Sequence, residues 1–136
     1  MKRTILTLAL AFFTAGIHAT EPVADETVTV KADESTVTWK AYKVTGSHTG
    51  TVALKSGSLV FDNSTLTGGE FIVDMTSIIC TDLEGEYKQK LEGHLKSDDF
   101  FSVASHQTSK LVFTNVKATG KNSYEVTGDL TIKGIT

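Results

Sequence analysis

The chain has 136 residues, 40% hydrophobic and 21% charged, with 11 Gly, 1 Pro, 1 Cys and a formal net charge of −3. These values exclude a collagenous chain, a disulfide-stapled mini-protein, a polybasic nucleic-acid binder and a polytopic helical membrane protein. What remains is an ordinary globular domain, and one proline against an average usage of about 5%, with Thr and Val recurring throughout, favours extended chain.

The first nineteen residues read as an address. Lys2 and Arg3 form a positive head, Ile5 through Phe13 an apolar run too short for a resident membrane helix, and Ala15 to Ala19 supply small residues at a cleavage point. The expectation is a signal peptide over 1–19, cut after Ala19, then one domain over 20–136 that is periplasmic or secreted. An uncleaved amphipathic anchor is the alternative, but no stop-transfer pattern follows. Without Lys2 and Arg3, 16 acids face 11 bases, a net of −5. That balance argues against nucleic acid and against adhesion to anionic headgroups. Cys80, alone in an oxidising compartment, cannot close an internal disulfide. Following Ile78 and Ile79, it reads as a buried apolar filler. An intermolecular bridge or a reactive thiol are the alternatives, and no adjoining basic residue favours the latter.

Along the mature chain the apolar residues recur with period two, as in strands with one wet side. Thr27 to Val30 is a short first example; Val37/Trp39/Ala41, Val52/Leu54, Leu59/Phe61 and Phe71/Val73/Met75 follow. Turn chemistry falls at Gly46 to Gly50, Ser56-Gly57, Asp62-Asn63-Ser64 and Gly68-Gly69. From Thr81 the period changes. Leu83, Tyr87, Leu91 and Leu95 lie four apart, predicting a short helix around 81–95 opened by a capping box at Thr81-Asp82-Leu83-Glu84. Glu84 with Lys88 and Glu86 with Lys90 are expected i,i+4 pairs, while Gly85 and Gly93 weaken the helix. Ser97 reads as a second N-cap before Asp98 and Asp99, and Phe100-Phe101 leads back to the core. Two more strands follow: Leu111/Phe113 and, after a turn at Gly120-Lys121-Asn122, the alternation of Tyr124, Val126, Gly128, Leu130 and Ile132 against Glu125, Thr127, Asp129, Thr131 and Lys133. Short connections make the neighbours antiparallel. One-sided antiparallel strands hide their apolar face in a sandwich or in a barrel, and periodicity does not choose between them.

Three ordered stretches carry a resemblance. Val37-Thr38-Trp39-Lys40 and Gly57 to Phe61 come first, Asp74 to Ile78 precedes His94-Leu95-Lys96-Ser97-Asp98-Asp99-Phe100-Phe101, and Gly128 to Thr136 closes the set. Over roughly Ala32 to Thr136 the chain resembles the YceI-like, polyisoprenoid-binding family. The resemblance implies an all-β, lipocalin-like antiparallel barrel of eight strands with a helical segment at one side, exported to the periplasm, its interior holding the tail of an isoprenoid lipid or quinone. It also implies a C-terminal truncation, since the family pattern continues past Thr136 with a lysine-proline pair and further strands. Where the family carries an aromatic residue and proline after Phe101, this chain has Ser105-His106-Gln107-Thr108.

The inward phases are the candidate ligand wall. On the first strands these are Trp39, Ala41, Val52, Leu54 and Phe61; in the middle, Phe71, Val73 and Phe113; on the last strand, Val126, Gly128, Leu130 and Ile132. Packed core demands the same residue types, so a ligand-free barrel or a structural or adhesive sandwich stays open as the alternative. An enzyme of lipocalin-like form is disfavoured because these phases hold no paired titratable groups. An outer-membrane barrel is disfavoured by outward Glu, Asp, Lys and Thr. No cofactor or metal is expected: His94 and Asp98 are four apart but separated by the turn at Ser97, and His48 and His106 have no partner nearby in sequence. No G-x-S-x-G elbow occurs. His94 is expected to position the helix end. The expected partner is an isoprenoid lipid or quinone, with no nucleic acid and no membrane span; a homodimer is left open.

Overall fold

Period-two patterning becomes six strands in the computed structural model, which describes residues 24–136; the expected signal peptide over 1–19 lies outside the described residues. They are β1 (Glu26–Thr29), β2 (Val37–Lys43), β3 (Gly46–Asp62), β4 (Thr65–Cys80), β5 (Thr108–Gly120) and β6 (Ser123–Thr131), with α1 (Gly85–Lys96) between β4 and β5. All pairings are antiparallel and belong to one sheet, ordered β1-β3-β4-β5-β6. β1 and β2 share the remaining edge of β3, β1 along its last third and β2 along its first. The fold is therefore the expected all-β, antiparallel, lipocalin-like one. A sandwich needs two sheets, and the described residues form one. Among them no strand pairing joins β6 to β1 or β2, so the sheet is not closed. No helix of the described residues is long and apolar enough to cross a membrane.

Several expected turns are strand interiors instead. Ser56-Gly57 lies inside the seventeen-residue β3 and Gly68-Gly69 inside β4. These glycines serve close approach: a Cβ on Gly57 would sit 2.8 Å from the Phe71 ring, and one on Gly69 would sit 2.8 Å from the Ser58 carbonyl oxygen. The turn expected over Gly46 to Gly50 falls earlier, at Val44-Thr45, which leaves Gly50 in β3 opposite Trp39. A Cβ there would meet the Ile79 carbonyl oxygen at 1.9 Å and the Trp39 ring at 2.5 Å. The hairpin at Asn63-Ser64 is as expected, both residues adopting positive φ (45° and 69°) as a two-residue turn between twisted strands demands.

β4 is bent by an insertion. Thr51 pairs Ile79 and Ala53 pairs Asp74, so Met75 to Ile78 bulge out of the ladder. The bulge is held by side chains: the Asp74 carboxylate accepts from the Thr76 N–H (2.9 Å) and hydroxyl (2.6 Å). Ser77 Oγ donates to the Asp74 carbonyl and accepts from the Ala53 N–H, at 2.6 and 2.7 Å. Bulges increase local twist and re-aim side chains. Here they turn Met75 and Ile78 inward, where they join Val52, Leu95 and Val103 in the buried core.

The helix differs from expectation at its start. It begins at Gly85, with φ of +59°, and Glu84 at the N-cap makes no side-chain cap bond. The capping box does not form because its residues bind β3: Asp82 accepts from Thr49 N–H at 3.0 Å, and Thr81 Oγ1 donates to the Thr49 carbonyl at 3.3 Å. Lys88 correspondingly pairs Glu92 (3.0 Å) rather than Glu84, while the exposed Glu86–Lys90 pair is present at 3.7 Å. Ser97 ends α1 instead of opening a second helix, its hydroxyl donating to the His94 carbonyl at 2.7 Å. Beyond it the Phe101 and Val103 N–H groups donate to the Leu95 and Lys96 carbonyls. That turn returns Phe100 and Phe101 to the sheet.

Candidate functional site: an apolar cleft in the curled sheet

Residues from both edges of the sheet line one cleft of about 720 Å³. Such a volume lies within the usual size of small-molecule sites. Val52 and Leu54 of β3, Phe71 and Val73 of β4 and Leu111 of β5 form its floor. Val37, Trp39 and Ala41 of β2 stand on one side, with Leu130 and Ile132 on the other. Met75, Ile78, Leu95, Phe100 and Phe101 close one end. The register explains the floor: Leu54 pairs Val73, Phe71 pairs Leu111, and Leu111 pairs Leu130, so these side chains share one face of neighbouring strands.

Trp39 is fixed as a wall. Its indole lies across Gly50, its Nε1 donates to the Ile79 carbonyl at 3.1 Å, and Thr49 Oγ1 donates to its carbonyl at 2.9 Å. Phe71 is seated over Gly57 and packs against Phe113, ring centroids 5.8 Å apart. At the closed end His94, Phe100 and Phe101 form an edge-to-face ladder, with centroids 5.7 and 4.8 Å apart. His94 thus braces the end of α1 against the aromatic turn, as expected from the sequence.

Polar groups are few. Lys40 is the one charged residue among the described lining residues, and Ser35, Thr36 and Ser109 supply hydroxyls. Ser109 is 6% exposed and its Oγ has no hydrogen-bond partner among the described residues. A buried hydroxyl without a partner costs about 1–3 kcal/mol, so this group is a natural anchor for a polar atom of a bound molecule.

Of the sequence-predicted wall, Trp39, Ala41, Val52, Leu54, Phe71, Val73, Leu130 and Ile132 meet at the cleft. The other four lie elsewhere because the strands outrun the cavity. Phe61 pairs Glu26 and Leu66 at the far end of β3. Phe113 packs on Phe71 and over Gly69. Val126 pairs Val116 beyond the β5 irregularity after Phe113 and is 38% exposed. Gly128 serves backbone geometry: a Cβ there would stand 2.7 Å from the Val112 carbonyl oxygen and 2.9 Å from Leu111 Cδ1. Period-two reasoning put Met75 in phase with Phe71 and Val73 but did not carry it into the wall; it missed Ile78, which depends on the β4 bulge, and Leu95, Phe100 and Phe101, which come from the helix and its exit turn. The apolar stripe of 83–95 and the paired phenylalanines were their signal.

A second polar constellation lies where β3 starts and β4 ends. His48, without a partner nearby in sequence, meets Asp82 across the fold: Nδ1 to Oδ2 is 3.1 Å. The Cys80 thiol donates to Asp82 Oδ1 at 3.0 Å. Cys80 is fully buried, as expected of a filler, but its thiol is hydrogen-bonded. Burial first, then the Asp82 carboxylate, pushes that thiol above its usual range. The bonds from Cys80 and Thr49 hold the Asp82 carboxyl well below the usual carboxylate range, against a smaller opposing effect of burial.

The comparisons with known proteins converge with this geometry. Residues 28–136 match the family description of a YceI-like domain. The chain belongs to the YceI-like family. A UPF0312 protein of Pseudomonas putida (strain W619) is 30% identical over 138 aligned positions, covering all of this chain and 69% of that protein. A UPF0312 protein of Pseudomonas syringae pv. tomato is 49% identical over 43 residues, 32% of this chain and 22% of that protein. One from Azotobacter vinelandii is 42% identical over 43 residues, with the same coverage.

Proposed function

We propose that this YceI-like protein is an exported carrier that holds the apolar tail of an isoprenoid lipid or quinone in its cleft, for transport, storage or sequestration, and performs no chemistry on it. The observation that carries the reading is the cleft itself: about 720 Å³ lined almost wholly by apolar side chains, with Leu130 still 51% and Phe100 44% exposed. A purely structural sheet has no use for half-exposed large apolar groups around a concave space, whereas burying them under an apolar ligand is favourable at about 25 cal/mol per Å². A branched hydrocarbon needs few polar anchors, and the cleft offers few, the buried Ser109 hydroxyl among them. The resemblance to polyisoprenoid-binding proteins favours prenyl over straight acyl chains, and the basic, apolar, small-residue pattern of 1–19 favours export. The reading requires neither cofactor nor second copy.

Protein purified from its producing cells, extracted with organic solvent and analysed by mass spectrometry, should release a prenyl lipid or quinone in near-stoichiometric amount. Recovery of nothing apolar from folded protein would overturn the proposal in favour of a ligand-free structural role.

A further inference from the structure

We propose that His48, Cys80 and Asp82 form a binding site for a divalent transition-metal ion of the zinc class, separate from the lipid cleft. Three chemically different donors from distant parts of the sequence converge here: the imidazole Nδ1 of His48 at the start of β3, the thiol of Cys80 at the end of β4, and the carboxylate of Asp82 just beyond. Their ligating atoms all lie within 4.8 Å of one another. Zinc bonds of about 2.3 Å to sulfur and 2.0–2.2 Å to nitrogen and oxygen, at tetrahedral angles, place ligand atoms roughly 3.4–3.6 Å apart. Cys80 Sγ touches Asp82 Oδ1 at 3.0 Å and His48 Nδ1 touches Oδ2 at 3.1 Å, so with one atom from each residue, none more than 4.8 Å apart, side-chain shifts of about 1 Å bring the three donors to those separations.

The surroundings hold the donors in place. Cys80 pairs with Gly50 in the β3–β4 ladder, its N–H donates to Glu92 Oε1 at 2.8 Å, and its carbonyl accepts from Lys88. Lys88 in turn pairs Glu92 at 3.0 Å, so α1 clamps the backbone of the thiol. Thr49 N–H fixes Asp82 Oδ1 at 3.0 Å, leaving Oδ2 facing His48. The His48 and Asp82 side chains are 22% and 31% exposed, which gives an ion and a fourth, solvent ligand access from one side. The hydrogen-bonded protons between these atoms occupy the place the cation would take. On binding, the Cys80 S–H bond breaks and its proton goes to solvent. The imidazole binds in its neutral form with its proton on Nε2. One thiolate and one carboxylate then balance the two positive charges.

The test uses the mature protein, reduced and freed of metal by chelation, titrated with Zn²⁺ in competition with a chromophoric chelator and separately with Co²⁺. One equivalent should bind, with release of one proton per ion measured in buffers of different ionisation enthalpy. Co²⁺ should give a near-ultraviolet thiolate-to-cobalt charge-transfer band. Cys80→Ser should abolish that band. His48→Gln, at a partly exposed position that spares the core, should weaken Zn²⁺ binding by more than the roughly 10–100-fold that loss of an outer hydrogen-bond partner costs. Circular dichroism checks that each variant folds. Absence of the band in the folded wild-type protein, or Zn²⁺ affinity unchanged in His48→Gln, would overturn the assignment and leave a hydrogen-bonded cluster that only ties β3 to β4.

Discussion

If the cleft holds a prenyl chain, affinity must rise with chain length and then stop rising. At the roughly 30 Å³ that a water-sized group occupies in a liquid, a space of about 720 Å³ takes on the order of two dozen non-hydrogen atoms, or four to five five-carbon units. Moving one such unit out of water gains about 4 kcal/mol at ~0.8 kcal/mol per carbon. The sheet is open between β2 and β6, so one side of the chain keeps its solvent, and about half that gain is expected. Some 2 kcal/mol corresponds to about a 30-fold fall in Kd per unit. The assay is built into the protein: Trp39 is its one tryptophan and lines the cleft, so ligand against the indole should shift its emission to the blue. Delipidated protein titrated with prenols of 10, 15, 20 and 30 carbons should show steep tightening up to 20 and little change beyond. A Kd independent of length, or tightening that continues unabated to 30 carbons, would refute the reasoning that this cavity holds the chain.

Ser109→Ala should stabilise the ligand-free protein by about 1 kcal/mol, since it removes a buried hydroxyl whose solvation is lost without replacement; urea unfolding showing a destabilised variant would mean that the hydroxyl is bonded. Gly50→Ala should cost about 3 kcal/mol or more, at or above the upper end of ordinary overpacking, because the added Cβ would collide with the Ile79 carbonyl oxygen and the Trp39 ring. A denaturation midpoint close to wild type would show that the Trp39 wall is not built on that glycine. The Thr76 hydroxyl and N–H lower the Asp74 carboxyl below its ordinary value. Its folded pKa thus lies below the unfolded value of about 3.9, so its stabilisation is present above that value and is lost as pH falls through the folded one. Thermal unfolding followed from about pH 5 down to pH 2 should show a shallower acid limb for Asp74→Asn than for wild type, and equal slopes would remove Asp74 from the acid response.

The strands were legible because burial on one face imposes period two, and that signal is local. Trp39, Val52, Leu54, Phe71 and Val73 could be placed on an inward face without knowing what lay opposite. How far the cavity extends along each strand is not local. Phe61 and Phe113 have the correct phase but lie past the end of the space, and only the register shows it. Glycine was the most misleading residue. Gly57 and Gly69 look like turn residues in sequence, yet in a strand the missing Cβ lets a neighbouring ring or carbonyl approach, and that use depends on a partner many residues away. The β4 bulge was hidden for a related reason. Asp74-Met75-Thr76-Ser77-Ile78 alternates well enough to pass for regular strand, whereas its Asp, Thr and Ser side chains bond back to the local backbone and break the ladder. The capping-box motif at Thr81 was overridden by a tertiary demand: Asp82 is occupied by Thr49, Cys80 and His48, and the helix starts one turn later.

These departures from regular strand are what make a container. An evenly paired sheet with one apolar face would pack that face flat against α1 and leave no space. Here the inserted residues Met75 to Ile78 increase the bend of β4, and the glycines at 50 and 57 let Trp39 and Phe71 lie down against the sheet instead of filling its centre. The aromatic turn after α1 then closes one end without plugging the middle. Each device acts on a large side chain, while the rest of the floor keeps residues of moderate size such as Val52, Leu54 and Val73. Enlarging the floor and leaving the rim intact therefore separates capacity from fold. Val73→Leu adds one methylene inside the cleft, at a strand position paired with Leu54, and should shorten the longest prenol bound without loss of stability beyond the 1–3 kcal/mol of ordinary overpacking. An unchanged length optimum in a folded Val73→Leu protein would show that the chain does not run over that part of the floor.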